Sequence, residues 1–178
     1  MVSVMGAAGT TPEPAAPAHD GRTSLGEVAC RYRAGEIDPA DLPMIAAGAL
    51  AAGLDTPALC ELAGLPRNAA AGDVRDLFEQ ALAEAGTELP DPALARRHAL
   101  HRLVLRFLDG EIDPAGLVTD DWWELEAGTA EERSFVRLVP QCMCCLDYTL
   151  QTDRRTWAAE LRIAALALTT SAPIGPGC

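Results

Sequence analysis

Six residues occur twice in this chain. Gly35-Glu36-Ile37-Asp38-Pro39-Ala40 returns 75 positions later as Gly110-Glu111-Ile112-Asp113-Pro114-Ala115. The match extends in both directions at the same offset. Leu25, Val28, Ala29, Arg31 and Tyr32 face Leu100, Leu103, Val104, Arg106 and Phe107, while Leu42, Leu50 and Gly53 face Leu117, Leu125 and Gly128. A duplicated pattern of apolar positions and chain-turning residues constrains a fold more than any composition does, because both copies must bury the same face in the same way.

The repeated unit is helical. Leu25, Val28, Ala29 and Tyr32 have the spacing of one helix face. Gly35 follows as a C-terminal stop, and Asp38-Pro39 supplies an N-cap and a first helical proline. Apolar residues make up 49% of the chain and aromatics only 4%, so the core is aliphatic and rich in the helix formers Leu and Ala. The expected class is all-α, with two pseudo-repeats of about four helices each. They are stacked either as a solenoid in the manner of HEAT repeats or as an orthogonal bundle.

In the first half, helix A is expected from Ser24 as N-cap to Ala34. Helix B runs from Asp38-Pro39 to Ala52, helix C opens at Asp55-Thr56-Pro57, and helix D runs from Asp73 to Ala85. In the second half, helix A′ opens at Asp91-Pro92. Helix B′ follows Asp113-Pro114 and carries Trp122-Trp123. Helix C′ has a Thr129/Glu132 capping box and is kinked at Pro140. Helix D′ starts near Asp153. Residues 1–22 read as a disordered tail, 23–89 as the first half, 90–170 as the second half packed with it in one domain, and 171–178 as a flexible C-terminal tail.

All fourteen basic side chains are Arg, and there is no Lys. With 33 Ala, this points to a GC-rich genome and removes every lysine-based chemistry. The net charge of −12 argues against nucleic acid and against anionic membranes, and it is compatible with a basic protein partner. No apolar run reaches the ~20 residues of a membrane span. The first Arg is Arg22, so the basic region of a secretory signal is missing. Cytoplasmic residence is the expectation, with the six Cys as thiols.

The chain resembles a set of uncharacterised small all-helical proteins of GC-rich actinobacteria. The residues that carry this are Gly35-Glu36-Ile37-Asp38-Pro39, Gly53-Leu54-Asp55-Thr56-Pro57, Leu62-Ala63-Gly64-Leu65, and the second Gly-x-Ile-Asp-Pro element with Trp122-Trp123. The likeness covers about residues 24–126 and implies a fold. It carries over no activity and no catalytic residue.

Three local groups could carry chemistry. Arg97, His98, His101 and Arg102 place imidazoles and guanidiniums together on helix A′, a basic patch that suits a carboxylate or phosphate. Trp122 and Trp123 are the best side chains for a binding hot spot. These six residues are the expected binding set, at the junction of the halves, for a small anionic or aromatic ligand or for a protein partner. Cys142, Cys144 and Cys145 could hold zinc or copper as thiolates, but no second Cys pair matches them, and buried free Cys is the preferred reading. The paired acids Glu36/Asp38 and Glu111/Asp113 are explained by capping. No catalytic residue is assigned.

The favoured function is a non-enzymatic acidic helical interaction protein, immunity- or adaptor-like, that binds a protein or peptide. The alternative is a small helical enzyme or metal–thiolate protein, with actinobacterial secondary metabolism as a natural setting. A purely structural homo-oligomer is a third possibility.

Overall fold

The computed structural model describes residues 21–119, 122, 125–140, 142 and 153–170. Among these residues the fold is all-helical and contains no strand. The described residues form seven α-helices: α1 Gly21–Arg33, α2 Leu42–Ala51, α3 Pro57–Ala63, α4 Ala71–Glu84, α5 Pro92–Leu108, α6 Ala130–Leu138 and α7 Arg154–Thr170. Short 3-10 helices occupy Pro39–Asp41 and Pro114–Thr119. No helix among the described residues is long and apolar enough to cross a membrane.

The duplicated hexapeptide folds the same way twice at the level of hydrogen bonds. After α1, Gly35 N donates to Tyr32 O and Glu36 N to Arg31 O, at 3.0 and 2.9 Å. After α5, Gly110 N donates to Phe107 O and Glu111 N to Arg106 O, at 3.1 and 2.9 Å. Gly35 and Gly110 have φ of 81° and 79°, the left-handed conformation that lets the chain reverse while the last helical carbonyls stay paired. Asp38 Oδ1 then accepts from Ala40 N at 2.9 Å, and Asp113 Oδ1 from Gly116 N at 2.7 Å.

Beyond the hexapeptide the copies diverge. In the first half the 3-10 turn gives way to the α-helix α2 at Leu42, whereas in the second half the start of the expected helix B′ is 3-10 throughout Pro114–Thr119. Asp113 Oδ1 and O both accept from Gly116 N, which closes a tight turn there. Other boundaries shift for local reasons. Ser24 lies inside α1 rather than capping it. Within Asp55-Thr56-Pro57, Thr56 is the cap of α3, its Oγ1 accepting from Leu59 N. Asp73 sits in the first turn of α4, whose cap position is Ala70. Pro140 does not kink α6: the helix stops at Leu138, and Val139 is extended, as residues before proline prefer.

Each half has its own core. Leu25, Ala29, Leu42, Leu59, Leu62, Val74, Phe78 and Leu82 close the first, where Tyr32 meets Phe78 edge-on at 5.1 Å between ring centres. Leu100, Val104, Phe107, Leu117, Phe135, Trp157 and Leu161 close the second. Trp157 fits because its indole N–H has a partner, Leu138 O at 2.7 Å. Equivalent positions are buried together: Leu25 with Leu100, Ala29 with Val104, and Leu42 with Leu117. The halves meet where α1 packs on α5.

Because Gly35 and Gly110 hold left-handed backbone in open surroundings, an added methyl is strained by conformation alone. Gly35→Ala and Gly110→Ala are each expected to lower the unfolding free energy by about 1–2 kcal/mol, measured by urea denaturation. An Ala variant as stable as wild type would show that the turn readily re-forms another way.

Candidate functional site

Helix α5 carries the expected basic patch, and the structure divides it. Arg97 and His101 lie one helical turn apart and turn toward α6. There they meet Glu132, whose side chain is 0% exposed. Arg97 Nε donates to both carboxylate oxygens, at 3.1 and 3.0 Å. His101 Nε2 lies 3.1 Å from Oε1, and since a carboxylate only accepts, that nitrogen carries the proton. Gly128 N and Thr129 N donate to Oε2 at 2.6 and 3.1 Å, and Thr129 Oγ1 accepts from Glu132 N. The capping box anticipated at Thr129/Glu132 is therefore present, but its Glu also anchors α5.

Burial pushes the Glu132 pKa up. The hydrogen bonds from Arg97, His101, Gly128 and Thr129 outweigh it, so the group ends below the ordinary carboxylate value of 4.5. Gly128 is required for space rather than for backbone freedom: a Cβ there would stand 2.6 Å from both terminal nitrogens of Arg97.

His98 and Arg102 belong to a second group, on the side of α5 that faces α1. Arg102 Nη2 donates to Glu36 Oε2 at 2.6 Å, and Nη1 lies 3.7 Å from Glu27 Oε1 and 3.8 Å from Cys30 Sγ. His98 Nε2 and Arg102 Nε are buried with no hydrogen-bond partner among the described residues. Burial lowers the His98 pKa below 6.5, and the nearby Arg102, His101 and Arg97 lower it further against an opposing pull from Glu27. The imidazole is therefore neutral at pH 7.

The cavity at the junction is built from other residues. A cleft of about 400 Å³ lies between the end of α1 and one face of α5. Ala34, Gly35 and Glu36 form one wall, Arg96, Ala99, Leu103 and Arg106 the other, and Trp122 closes it. Trp122 is 8% exposed, and its Nε1 has no partner among the described residues. Of the six residues expected to bind, only Trp122 lines the cleft. Arg97, His98, His101 and Arg102 do not, and Trp123 lies outside the described residues. Arg96 and Arg106 supply the positive charge instead, and Arg106 also pairs with Glu111 at 3.1 Å. One signal for them was in the sequence. Arg96, Ala99, Leu103 and Arg106 follow the i, i+3, i+7, i+10 spacing of one helix face.

Cys30 and Cys142 each take part in a disulfide, where thiols were expected, and Cys60 is an exposed free thiol. Cys144 and Cys145 lie outside the described residues. Among the described residues no group of three or more His, Cys, Asp or Glu is placed to hold a metal ion. The chain matches no protein-family model, no curated protein and no solved structure.

The lowered pKa values of His98 and Glu132 contribute to the acid response, alongside those of the exposed Glu84 and Asp153. Neutral His98 stabilises the fold above pH 6.5, and that contribution is lost as pH falls from 6.5 through its lower folded value. Ionised Glu132 stabilises the fold above pH 4.5, and its contribution is lost as pH falls through its own lowered pKa. Unfolding free energy measured against pH should fall in these two windows. Glu132→Gln should shrink the second fall, leaving the part due to Glu84 and Asp153, and cost about 3 kcal/mol at pH 7, since it leaves Arg97 without its counter-charge. An unchanged acid profile in that variant would remove Glu132 from this role.

Proposed function

We propose that the protein is a non-enzymatic helical interaction module, immunity- or adaptor-like, that holds a carboxylate-bearing peptide or small ligand in the cleft between its halves. The observation that carries this reading is the composition of the cleft. It joins two guanidinium groups, a buried indole with a spare N–H, and the small apolar surface of Ala34, Ala99 and Leu103. A few convergent donors of this kind fix the orientation of a small bound group. A guanidinium matches a carboxylate in geometry as well as charge.

The reading treats the two halves as copies of one ancestral helical unit, stacked as a short solenoid or bundle, with the binding site at the seam. The acidic surface, at a net charge of −12, would steer a partner of net positive charge toward the protein, and the Arg-lined cleft would then accept one carboxylate from it. Cytoplasmic residence belongs to the same proposal.

Arg106→Glu reverses a charge on an exposed side chain, and Trp122→Phe removes the indole N–H while keeping an aromatic ring. The partner retained from host extract by the immobilised protein, once purified, should bind each variant about tenfold more weakly in calorimetric titration. Asp38→Ala, a turn residue away from the cleft, should bind as wild type does. If circular dichroism shows both cleft variants folded and both bind with wild-type affinity, the cleft is not the site.

A further inference from the structure

Four large apolar side chains are exposed among the described residues, and two of them stand on adjacent turns of α7, Ile163 at 68% and Leu166 at 50%. Both point away from the stripe of Trp157, Leu161, Ala165 and Leu168 that α7 buries in the second core. The outward stripe continues in both directions. Thr156, Ala159, Ile163, Leu166 and Thr170 alternate steps of three and four residues, the spacing of a seam between two wound helices. All five are exposed. The stripe can be covered without stranding a polar group, because both of its hydroxyls already have partners. Thr156 Oγ1 donates to Asp153 Oδ2 at 2.6 Å, and Thr170 Oγ1 to Ala167 O at 2.9 Å.

The charged residues beside the stripe select what covers it. Arg155 and Arg162 flank one edge and Glu160 the other, and all three are exposed. No ion pair engages Arg155 or Glu160 among the described residues. Two parallel copies of α7 would set the arginine edge of one helix against the glutamate edge of the other, so that Arg155 meets Glu160 of the second copy on both sides of the seam. Two antiparallel copies would set like charge against like. The seam residues agree with the parallel pair. Ile163 and two β-branched Thr alternate with Leu166 and Ala159, and β-branched side chains at these positions with Leu at the others favour two parallel strands.

We infer that the outward face of α7 is a homodimer interface, in which α7 pairs in parallel with α7 of a second copy of this chain. The two-fold axis runs along the helix pair, and the two second cores lie on its outer sides, because the buried stripe of each α7 faces away from the seam. The contact is about 25 Å long, the length of one such helix. That is small for a permanent interface, so the dimer forms and dissociates with concentration. No residue of α7 lines the junction cleft, and the inference is independent of the proposed function.

Sedimentation velocity of the full chain, from micromolar to near-millimolar concentration, should show monomer giving way to dimer. Ile163→Glu places two carboxylates in the seam and should weaken dimerisation at least about a hundredfold, with the circular dichroism of wild type, since the side chain it replaces is exposed. If that variant does not fold, Leu166→Glu makes the same test. Arg155→Glu and Glu160→Arg should each weaken the dimer about fivefold, because each turns two attractive pairs into repulsive ones. The chain carrying both changes should dimerise as wild type does, with the pairs re-formed in reversed sign. A wild-type chain that stays monomeric throughout would overturn the inference, including where a different protein covers this face. So would a dimer that survives the seam substitution in folded protein, or a double charge swap that fails to restore it.

Discussion

A carboxylate with no exposure to solvent must be fully paired, because an unpaired buried charge costs several kcal/mol. Glu132 meets that condition with donors from Arg97, His101, Gly128 and Thr129. The consequences spread outward. Arg97 and His101 fix the rotation of α5 about its axis, which directs His98 and Arg102 toward α1 and the stripe from Arg96 to Arg106 toward the cleft. The two backbone donors fix the start of α6, and Leu138 at its far end takes the indole N–H of Trp157 from α7. The second core is thus assembled around one ion cluster.

The first half uses a milder version of the same device. Glu84 at the end of α4 accepts from Ala58 N at the start of α3, at 2.9 Å, and from Gln80 at 2.9 Å. The Ala58 bond, then the Gln80 bond, holds its carboxyl below the usual value. In both halves a carboxylate satisfies the free backbone donors at a helix start, where the helix dipole also favours negative charge. In the first half the carboxylate is exposed and has no cationic partner among the described residues, so its loss should be the less damaging.

The cleft forms where the duplication breaks. Trp122 stands at the position held by Ala47 in the first copy, and the 3-10 helix that gives way to α2 at Leu42 in the first copy runs on to Thr119 in the second. The two hexapeptides keep the same turn and the same local ion pair, Arg31 with Glu36 and Arg106 with Glu111. Only the first of these glutamates also receives Arg102 from the other half. A repeated unit gives two like surfaces, and a site unique to one seam needs such departures.

What the sequence determined by itself was local and periodic. The helical class, the glycine stops at Gly35 and Gly110, the proline turns, the capping box at Thr129/Glu132 and the apolar stripes of α1 and α5 all follow from interactions within a few residues, which spacing reports directly. The starts expected at Ser24 and Asp73 lie inside the helices the chain forms, because a helix can begin at a residue with no side-chain cap, as α4 does at Ala70. Tertiary structure alone decided the partners of the charged side chains. From sequence, Arg97, His98, His101 and Arg102 form one patch. In the fold, Arg97 and His101 are taken by a carboxylate 35 and 31 residues away, and Arg102 by one 66 residues away. The face of α5 that lines the cleft carries Arg96 and Arg106 instead, and that face is defined only once α1 lies beside it. The disulfide at Cys30 is of the same kind. A charge or a sulfur can be satisfied from any direction that packing supplies, and no periodicity in the chain records that direction.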